Sequence, residues 1–317
     1  MREFISEQNI LKESSDTVLP YLTARRSESH LEARDGKALY VAHYRADEPR
    51  GTVVLLHGFS ENAEKYREFI YYLLKDGLSV LTLDHRGHGR SYRAAPQGVI
   101  HIDRFDEYVS DLEAVLAAFE AELTAPLYLF AHSMGGAIAM LYLEKHPNVF
   151  EKAVLSAPMI DLQYRGLSRL LSISACRFCT LTARAKKAVF ISKKDYENEP
   201  FEHSSSLSPA RFALLREQRR SAPCFRGGAP SYAWSLAALG VAKRILAKGA
   251  PKRITHPVLI LSAEIEHLVS NEAQQRLAER LPCGTLQKIA GSKHEILFAN
   301  DEILHPVLED ILNFYGK

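Results

Sequence analysis

Short, nearly unbroken runs of apolar residues recur along the chain, separated by polar and amphipathic stretches. One stretch, 37–45 (KALYVAHYR), alternates apolar and polar residues as a half-exposed strand does. The other runs are apolar on both sides, which is typical of strands buried on both faces of a parallel sheet. These runs are TVVLLHG (52–58), SVLTLDHRG (79–87), PLYLFAHSMGG (126–136), KAVLSAP (152–158) and PVLILSA (257–263).

Amphipathic patterns lie between these runs. In 105–119 the apolar residues recur at spacings of three and four, and Asp103 stands before them as a candidate amino-terminal cap. Residues 137–145 and 271–281 show the same helical spacing. Because strands and helices alternate, we expect an α/β fold with a mostly parallel central sheet and helices on both faces. In such folds ligands bind at the carboxyl ends of the strands.

The alternation stops between 159 and 253, where the composition becomes basic, Ser-rich and helix-prone. The strand pattern resumes at Pro257. The simplest interpretation is an insertion between two core strands that forms a mainly helical cap over the carboxyl edge of the sheet. We therefore expect an N-terminal leader at 1–30, a core built from 31–158 and 254–317, and a cap at 159–253.

Composition and charge are those of an ordinary globular protein. The 317 residues are 46% hydrophobic and carry 40 Lys plus Arg against 38 Asp plus Glu, a formal net charge of +2. This balance gives no electrostatic reason to expect a nucleic-acid partner. The four cysteines are too few to stabilise a chain of this length by disulfide bonds, and their low number favours a reducing compartment. Since we find neither a secretory-signal pattern nor an apolar run long enough to span a membrane, we expect a cytoplasmic protein or one bound peripherally to the inner face of the membrane.

Ser133 follows a predicted buried strand and precedes a predicted helix. A serine in such a sharp turn exposes its hydroxyl above the sheet, and its neighbours must be small because strand and helix pass close together. The neighbours here are Ala131, Gly135 and Gly136, and Ser-x-Gly occurs nowhere else in the sequence. We therefore predict that Ser133 is a nucleophile. The alternative is a plain amino-terminal helix cap.

A serine nucleophile needs a base, and on this fold the base follows both the serine and the acid in the chain. His294 lies in the Gly-containing loop 291–297 (GSKHEIL), at the strand edge from which it could reach Ser133. His256 precedes a strand and His305 lies in a predicted helix. We predict His294 as the base, with His267 as the main alternative.

Two carboxylates follow the run at 257–263, and either could hydrogen-bond the imidazole. We prefer Glu266 over Glu264, because Leu268 and Val269 would anchor Glu266 on the core while Glu264 points outward.

The tetrahedral intermediate of acyl transfer needs backbone N–H donors aimed at its oxyanion. Met134, the residue after the nucleophile, should supply one donor. The other should come from the turn at 57–60 (HGFS), where we prefer Phe59. We interpret His57 as a structural loop histidine.

Several motifs occur in an order and context that resemble the α/β-hydrolase superfamily, in its serine-hydrolase branch. The resemblance covers nearly the whole chain from about residue 30 and rests on HGFSE (57–61), DHRGHGRS (84–91), AHSMGG (131–136), AEIEHLV (263–269) and GSKHEIL (291–297). Within the superfamily the chain is similar to the bacterial lysophospholipase L2 group and the monoacylglycerol lipases, through HSMGGAIAMLYLEKHP, LSAPMIDL and GGAPSYAW. Two positions depart from the usual pattern: Ala131 stands where Gly is usual, and Glu266 where Asp is commoner.

The resemblance implies that Ser133, Glu266 and His294 form a catalytic triad and that Phe59 and Met134 donate to the oxyanion. It also implies an esterase or lipase that cleaves the carboxylic ester of a lysophospholipid or monoacylglycerol without a cofactor. Two alternatives stay open: an acyltransferase that uses the same triad, and a non-catalytic hydrolase-like binding protein.

Two short motifs suggest chemistry that we do not expect. Asp84, His85 and His88 resemble metal ligands, but one short loop supplies too few of them, so we expect no metal and a structural loop in which Arg86 pairs with carboxylates. Cys176 and Cys179 have redox spacing without thioredoxin-like surroundings, so we expect two ordinary cap cysteines.

Two features of the predicted cap have two interpretations each. The segment 167–190 combines apolar residues with Arg and Lys. It either packs its apolar side on the core or forms an interfacial membrane face, through which the cap would bind a membrane peripherally. Trp234 either binds substrate in an acyl tunnel or anchors the cap. The sequence leaves the oligomeric state open.

Overall fold

An eight-stranded sheet forms the centre of the molecule. The structure is a computed structural model that describes residues 2–96, 98–163, 168–182, 184–189 and 199–316. The sheet strands are β1 (Arg26–Glu32), β2 (Ala38–Tyr44), β3 (Gly51–Leu56), β4 (Leu78–Leu83), β6 (Leu127–His132), β7 (Lys152–Ser156), β9 (Val258–Ile265) and β10 (Gly284–Lys293). A separate pair of short strands consists of β5 (Val99–Ile100) and β8 (Ala229–Pro230).

The strand order is β1-β2-β4-β3-β6-β7-β9-β10. β1 and β2 are antiparallel to their neighbours, whereas the other adjacent pairs are parallel. The carboxyl ends of the parallel strands therefore meet at one edge of the sheet. All six runs predicted as strands lie in this sheet, and the predicted mostly parallel α/β fold is confirmed.

Helices cover both faces of the sheet, because alternate strand residues point to opposite sides. The helices are α1 (Ile10–Glu13), α2 (Leu19–Thr23), α3 (Arg67–Lys75), α4 (Asp106–Phe119), α5 (Met134–Lys145), α6 (Arg169–Leu181), α7 (Pro209–Ser221), α8 (Tyr232–Ile245), α9 (Asn271–Ala278) and α10 (Asp301–Gly316). On one face of the sheet, residues such as Val54 and Leu129 pack against α4, α5, α8 and α9. On the other face, Val53 and Phe130 pack against α3 and α10.

The start of α4 differs from the prediction. The helix begins at Asp106, and Asp103 does not cap it. Instead the side chain of Glu107 accepts hydrogen bonds from the backbone N–H groups of Asp103 and Arg104. A first-turn glutamate that reaches back to free N–H groups stabilises a helix start as a capping residue does.

The first thirty residues form more structure than their polar sequence indicated. Ile10, Val18 and Leu22 are buried against the core, and strand β1 begins at Arg26, inside the expected leader. β1 is an edge strand with mostly exposed residues, so its sequence lacks the apolar pattern of a buried strand. The division into leader, core and cap remains a prediction, with its first boundary falling within β1.

The expected cap segment holds α6, α7 and α8, and α7 is fastened to the core by one buried arginine. Arg211 is 1% exposed, and its guanidinium donates hydrogen bonds to Glu68 Oε2 at 2.9 Å and to Asp301 Oδ1 at 2.9 Å. It also donates to the backbone oxygens of Ala299 and Ile5. The side chain thus joins α7 to α3, to the start of α10 and to the N-terminal segment.

None of the helices in the described ranges is long and apolar enough to cross a membrane.

We predict that Arg211→Met lowers the free energy of unfolding by about 3 kcal/mol, because it leaves the partly buried carboxylates of Glu68 and Asp301 without their cation. Arg244→Met is the matched control, since Arg244 pairs with Asp106 on the surface and the loss there should stay below about 1 kcal/mol. Urea denaturation followed by circular dichroism measures both values. Equal losses in the two variants would contradict the assigned role of Arg211.

Candidate active site

Ser133 occupies a strained turn between β6 and α5. Its φ is +50° and its ψ is −115°, outside the regions that residues other than glycine usually adopt. The turn is held by hydrogen bonds from the Ser133 N–H to the Ser156 oxygen at 3.0 Å and from the Met159 N–H to the Ser133 oxygen at 2.8 Å. Such strain persists where the surrounding structure over-determines it, and it is concentrated at functional sites.

The two glycines after Ser133 allow α5 to pass close to neighbouring strands. A Cβ at Gly135 would lie 2.4 Å from the Leu56 backbone oxygen, and one at Gly136 would lie 2.5 Å from Pro158 Cβ. Both distances are far below van der Waals contact. The small residues that the sequence places around Ser133 are therefore required by the close packing of the turn.

Ser133, His294 and Glu266 form a continuous chain of hydrogen bonds. His294 Nε2 lies 2.9 Å from Ser133 Oγ, and His294 Nδ1 lies 2.6 Å from Glu266 Oε2. Strands β6, β9 and β10 bring the three residues to the carboxyl edge of the sheet, although the chain separates Ser133 from His294 by 161 positions. All three side chains are buried.

The structure distinguishes the two candidate acids. The second oxygen of Glu266 accepts the backbone N–H groups of His267 at 2.8 Å and Leu268 at 2.7 Å, which fixes the carboxylate. Glu264 is exposed, and it accepts the Gly291 N–H and pairs with Lys288. Glu264 thus lies at the surface without contacting the imidazole, whereas Glu266 contacts it directly.

The competing histidines lie elsewhere. His267 is exposed, and His305 lies on α10 with its Nε2 3.3 Å from the Ile5 oxygen. His256 precedes β9, and its Nδ1 is 3.2 Å from the Pro147 oxygen. His294 is therefore the imidazole that the fold brings to Ser133.

The pKa values of the base and the acid shift in opposite directions. Burial alone would lower the pKa of His294, but the hydrogen bond and charge of Glu266, together with the charges of Glu295 and Glu61, raise that pKa above its ordinary value. Burial alone would raise the pKa of Glu266, yet His294 and the loop amides lower it. The pair is therefore arranged to stabilise an imidazolium beside a carboxylate, the charge state that forms when His294 accepts a proton.

Both predicted oxyanion donors are available. The N–H groups of Phe59 and Met134 donate no hydrogen bond to any protein group among residues that the structure describes. Met134 is the first residue of α5, where the helix end carries a partial positive charge. Each amide can therefore donate to a bound oxyanion without breaking an existing bond.

Trp234 connects the expected cap to residues 57–60, which we call the oxyanion turn after its predicted role. Its ring centroid lies 4.2 Å from that of Phe59, and its Nε1 donates to the Tyr108 hydroxyl at 3.1 Å. The indole is buried and belongs to the core that packs on α4 and α5. These contacts are those of an anchor; its role as a substrate-binding residue remains a prediction.

The loop at 84–91 is structural, as expected. Asp84 accepts the backbone N–H groups of Ala63 and Arg90, and Arg86 pairs with Asp111, among other carboxylates. His57, which we expected to be structural, is fully buried, and its Nε2 accepts the His85 N–H. All four cysteines are free thiols, including Cys176 and Cys179 on α6.

The sequence analysis missed a second group of polar residues beside the triad. Glu61, His132 and Glu295 have side-chain atoms within 4.8 Å of one another, the kind of grouping that can hold a metal ion. Here the ammonium of Lys65 hydrogen-bonds both carboxylates, so the position of a cation is already taken. The signals were present, because Glu61, His132 and Glu295 lie inside three of the five motifs that carry the resemblance.

A cavity of about 260 Å³ lies apart from the triad. It is lined by the N-terminal helical turns, α3, α7 and the segment that leads into α10, and it touches Lys65 and Phe298. Ser133, Glu266 and His294 do not line it. This cavity is therefore separate from the reacting groups.

Comparisons with known proteins show the family to which the chain belongs. The chain matches the family described as serine aminopeptidase, S33, over residues 47–301. It is 32% identical over 308 residues to lysophospholipase L2 of Escherichia coli strain K12, which covers 92% of this chain and 88% of that protein. It is 26% identical over 270 residues to a monoacylglycerol lipase of Mycolicibacterium smegmatis, with 84% and 88% covered.

A solved structure shows the same fold. The crystal structure of Paleococcus ferrophilus monoacylglycerol lipase matches 87% of this chain and 97% of its own, with a TM-score of 0.69 and 22% identity. The family match at 47–301 includes Ser133, Glu266 and His294. The chain therefore belongs to the serine aminopeptidase S33 family of α/β-hydrolases.

Proposed function

We propose that this protein hydrolyses the carboxylic ester of single-chain lipids, either a lysophospholipid or a monoacylglycerol, through an acyl-enzyme on Ser133. The observation that carries the proposal is the hydrogen-bonded chain from Ser133 Oγ through His294 to Glu266. A serine, an imidazole and a carboxylate joined in this order are the requirements for nucleophilic acyl transfer.

The mechanism follows from these contacts. Ser133 Oγ attacks the ester carbonyl while His294 Nε2 accepts its proton, and Glu266 stabilises the imidazolium. The N–H groups of Phe59 and Met134 hold the oxyanion of the tetrahedral intermediate. His294 then gives its proton to the leaving alcohol, and the acyl group stays on Ser133 until water, deprotonated by His294, releases the fatty acid. General base catalysis supplies about 10²–10⁴ in rate, and each oxyanion donor about 10²–10³.

The substrate class is supported by the relatives. The family description names a peptidase, but the relatives that match most of this chain are named lysophospholipase L2 and monoacylglycerol lipase. Both names denote the hydrolysis of an ester that carries one acyl chain. The two headgroups differ in charge, and turnover of both lipids by the purified protein distinguishes them.

We predict that the wild-type protein reacts with a fluorophosphonate probe at Ser133 and releases fatty acid from lysophospholipids or monoacylglycerols. Ser133→Ala should abolish both reactions, because it removes the nucleophile. Mass spectrometry of the labelled peptide and a turnover panel of graded chain lengths measure them. An added acceptor alcohol reveals acyl transfer. An unlabelled Ser133, or transfer to the alcohol in place of hydrolysis, would contradict the proposal.

The role of the acid can be tested by comparing its two candidates. Because one oxygen of Glu266 must accept the loop amides, Glu266→Gln would turn its NH₂ group toward His294 Nδ1 and so place the imidazole proton on Nε2. In that tautomer His294 cannot accept the proton of Ser133. We predict a fall in kcat of about a thousandfold to ten-thousandfold for Glu266→Gln. Glu264→Gln should keep the wild-type rate.

The pH dependence gives a second readout of the same pair. His294 must be neutral to act as a base, so kcat/KM falls as the pH drops through its raised pKa. Glu266→Gln removes the charge that raises this pKa, so the acidic limb of the profile should move to lower pH in the residual activity, and Glu264→Gln should leave it in place. Loss of rate in Glu264→Gln with full activity in Glu266→Gln would reverse our assignment.

We also infer that α6 contacts a lipid surface. Four of its large apolar side chains point into solvent: Leu170 at 75%, Leu171 at 69%, Phe178 at 68% and Leu181 at 81% exposed. Cys176 on the opposite side is buried, and α6 packs against α8. Arg169 and Arg177 on α6 are exposed as well, as are Arg184, Lys186 and Lys187 shortly after its end. An apolar stripe flanked by cations is suited to the interface of an anionic membrane. Residues 167, 183 and 190 of the predicted segment, and Arg165 just before it, lie outside the described residues.

We predict that the protein floats with anionic liposomes and less with zwitterionic ones, and that added salt weakens the association. Leu171→Ser combined with Phe178→Ser should reduce the bound fraction severalfold. Leu11→Ser is the control, because Leu11 is 50% exposed on α1, away from α6. A double variant that binds as wild type does, or a wild type that binds no vesicle, would refute the membrane face.

A further inference from the structure

Lys65 is buried beside the active site and bridges two carboxylates. Its side chain is 1% exposed, and its Nζ donates to Glu61 Oε1 at 2.5 Å and to Glu295 Oε2. Glu61 and Lys65 lie four residues apart in the segment after β3, whereas Glu295 is 230 residues further along the chain. Lys65 thus joins two loops that meet only in the folded protein.

At one end of this bridge, Glu61 holds the oxyanion turn. Its Oε2 accepts the Gly58 N–H at 2.8 Å and the Tyr66 hydroxyl at 2.7 Å. Gly58 directly precedes Phe59, the predicted oxyanion donor. A Cβ on Gly58 would lie 3.1 Å from this carboxylate, so the backbone and Glu61 are in close contact.

At the other end, Glu295 is the residue after His294. Its own N–H donates to the Ser205 oxygen at 3.2 Å, which ties the loop to the segment before α7. The Lys65 bridge therefore joins the residue next to the oxyanion donor to the residue next to the base.

His132 closes the group from the strand side. Its Nε2 lies 3.6 Å from Glu61 Oε1 and 3.7 Å from Glu295 Oε2, and its ring centroid is 5.0 Å from that of His294. Burial lowers the pKa of His132 to about 4. The ring is therefore neutral near pH 7, and Lys65 supplies the cation between the two carboxylates.

We propose that Lys65 is a positioning residue, which holds the oxyanion turn and the His294 loop at their working separation and balances the two carboxylates that face His294. The proposal rests on the proposed function, because it assumes that Phe59 and His294 act in one reaction. Misplacement of a catalytic group by about 1 Å costs roughly a hundredfold in rate. Loss of the buried bridge that joins the two loops should therefore lower kcat substantially.

Changing the charge at Lys65 or Glu295 should shift the pKa of His294, and a mere loss of stability would not produce such a shift. The charged or titratable groups around His294 are Glu266, Glu295, Glu61 and His132, and Lys65 is hydrogen-bonded to Glu61 and Glu295. The negative charges of Glu295 and Glu61 favour the protonated imidazole. Because the ammonium of Lys65 contacts both of these carboxylates, its positive charge should offset their effect on His294. The pKa of His294 should therefore follow the net charge of Glu61, Lys65 and Glu295, which is −1 in the wild type with all three ionised.

The experiment compares Lys65→Met, Glu295→Gln and the double variant in the hydrolysis of a soluble p-nitrophenyl ester. Lys65→Met makes the group more negative, so the acidic limb of the kcat/KM profile should move to higher pH by about one unit. Glu295→Gln makes it less negative and should move the limb to lower pH. The double variant restores the wild-type charge and should restore the limb, while kcat stays about tenfold to a hundredfold low because the bridge is still missing.

Lys288→Met is the matched control, since Lys288 pairs with Glu264 on the surface and should change neither rate nor profile. If Lys65→Met does not fold, the Glu295→Gln variant alone tests the proposal, because Lys65 can still pair with Glu61 in that variant. The proposal would be overturned if the acidic limb of the kcat/KM profile did not move in the single variants, or if the double variant had the wild-type kcat. An inactive wild type that no fluorophosphonate labels would instead refute the proposed function.

Discussion

The geometry of the turn at Ser133 constrains the rest of the candidate active site, because the chain changes from strand β6 to helix α5 within a single residue. That change requires a positive φ at a residue with a side chain, and it brings α5 within contact of the backbone that follows β3. The hydroxyl is thereby raised above the sheet edge, and the first N–H of the helix is left beside it. The strain is offset by hydrogen bonds to Ser156 and Met159 and by the close packing at Gly135 and Gly136.

The parallel sheet supplies the partners of that turn. Since the carboxyl ends of β3, β6 and β9 lie at one edge, loops that are far apart in the chain bring the proposed oxyanion turn, Ser133 and Glu266 to the same place. The loop after β10 brings the proposed base His294, and it is held by Glu266 on one side and by Lys65, through Glu295, on the other. Two buried ion networks therefore surround His294, one that orients it and one that fixes its distance from the oxyanion turn.

Much of this arrangement could be predicted from the sequence because its strongest signals are local. Buried strands are short apolar runs, and the turn at Ser133 needs small residues at fixed positions. The preference for Glu266 over Glu264 also followed from local order, since Leu268 and Val269 are the residues that anchor the loop. The structure adds that their backbone amides hold the carboxylate directly.

Other features depend on contacts between distant segments and left no periodic signal. β1 is an exposed edge strand, so its polar sequence looked like a leader. Asp103 is a residue type that often caps helices, but here the side chain of Glu107 accepts the free N–H groups at the start of α4. In the sequence Lys65 cannot be distinguished from a surface lysine, because its partner Glu295 is 230 residues away. The apolar residues of α6 are equally typical of a helix that packs on the core, but in the structure α6 packs on α8 through its opposite side. These features are set by contacts between segments that are distant in the chain, which a local sequence pattern does not record.

The central claim is that Ser133 carries the acyl group during turnover, and the most direct measurement is the mass of that intermediate. The protein would be mixed with a monoacylglycerol or a lysophospholipid, quenched in acid within the first turnovers and digested for mass spectrometry. Our account predicts that the peptide containing Ser133 gains the mass of the fatty acyl group and that this adduct disappears as the substrate is consumed. Steady release of fatty acid with no adduct at Ser133, or with the acyl group on another residue, would contradict it.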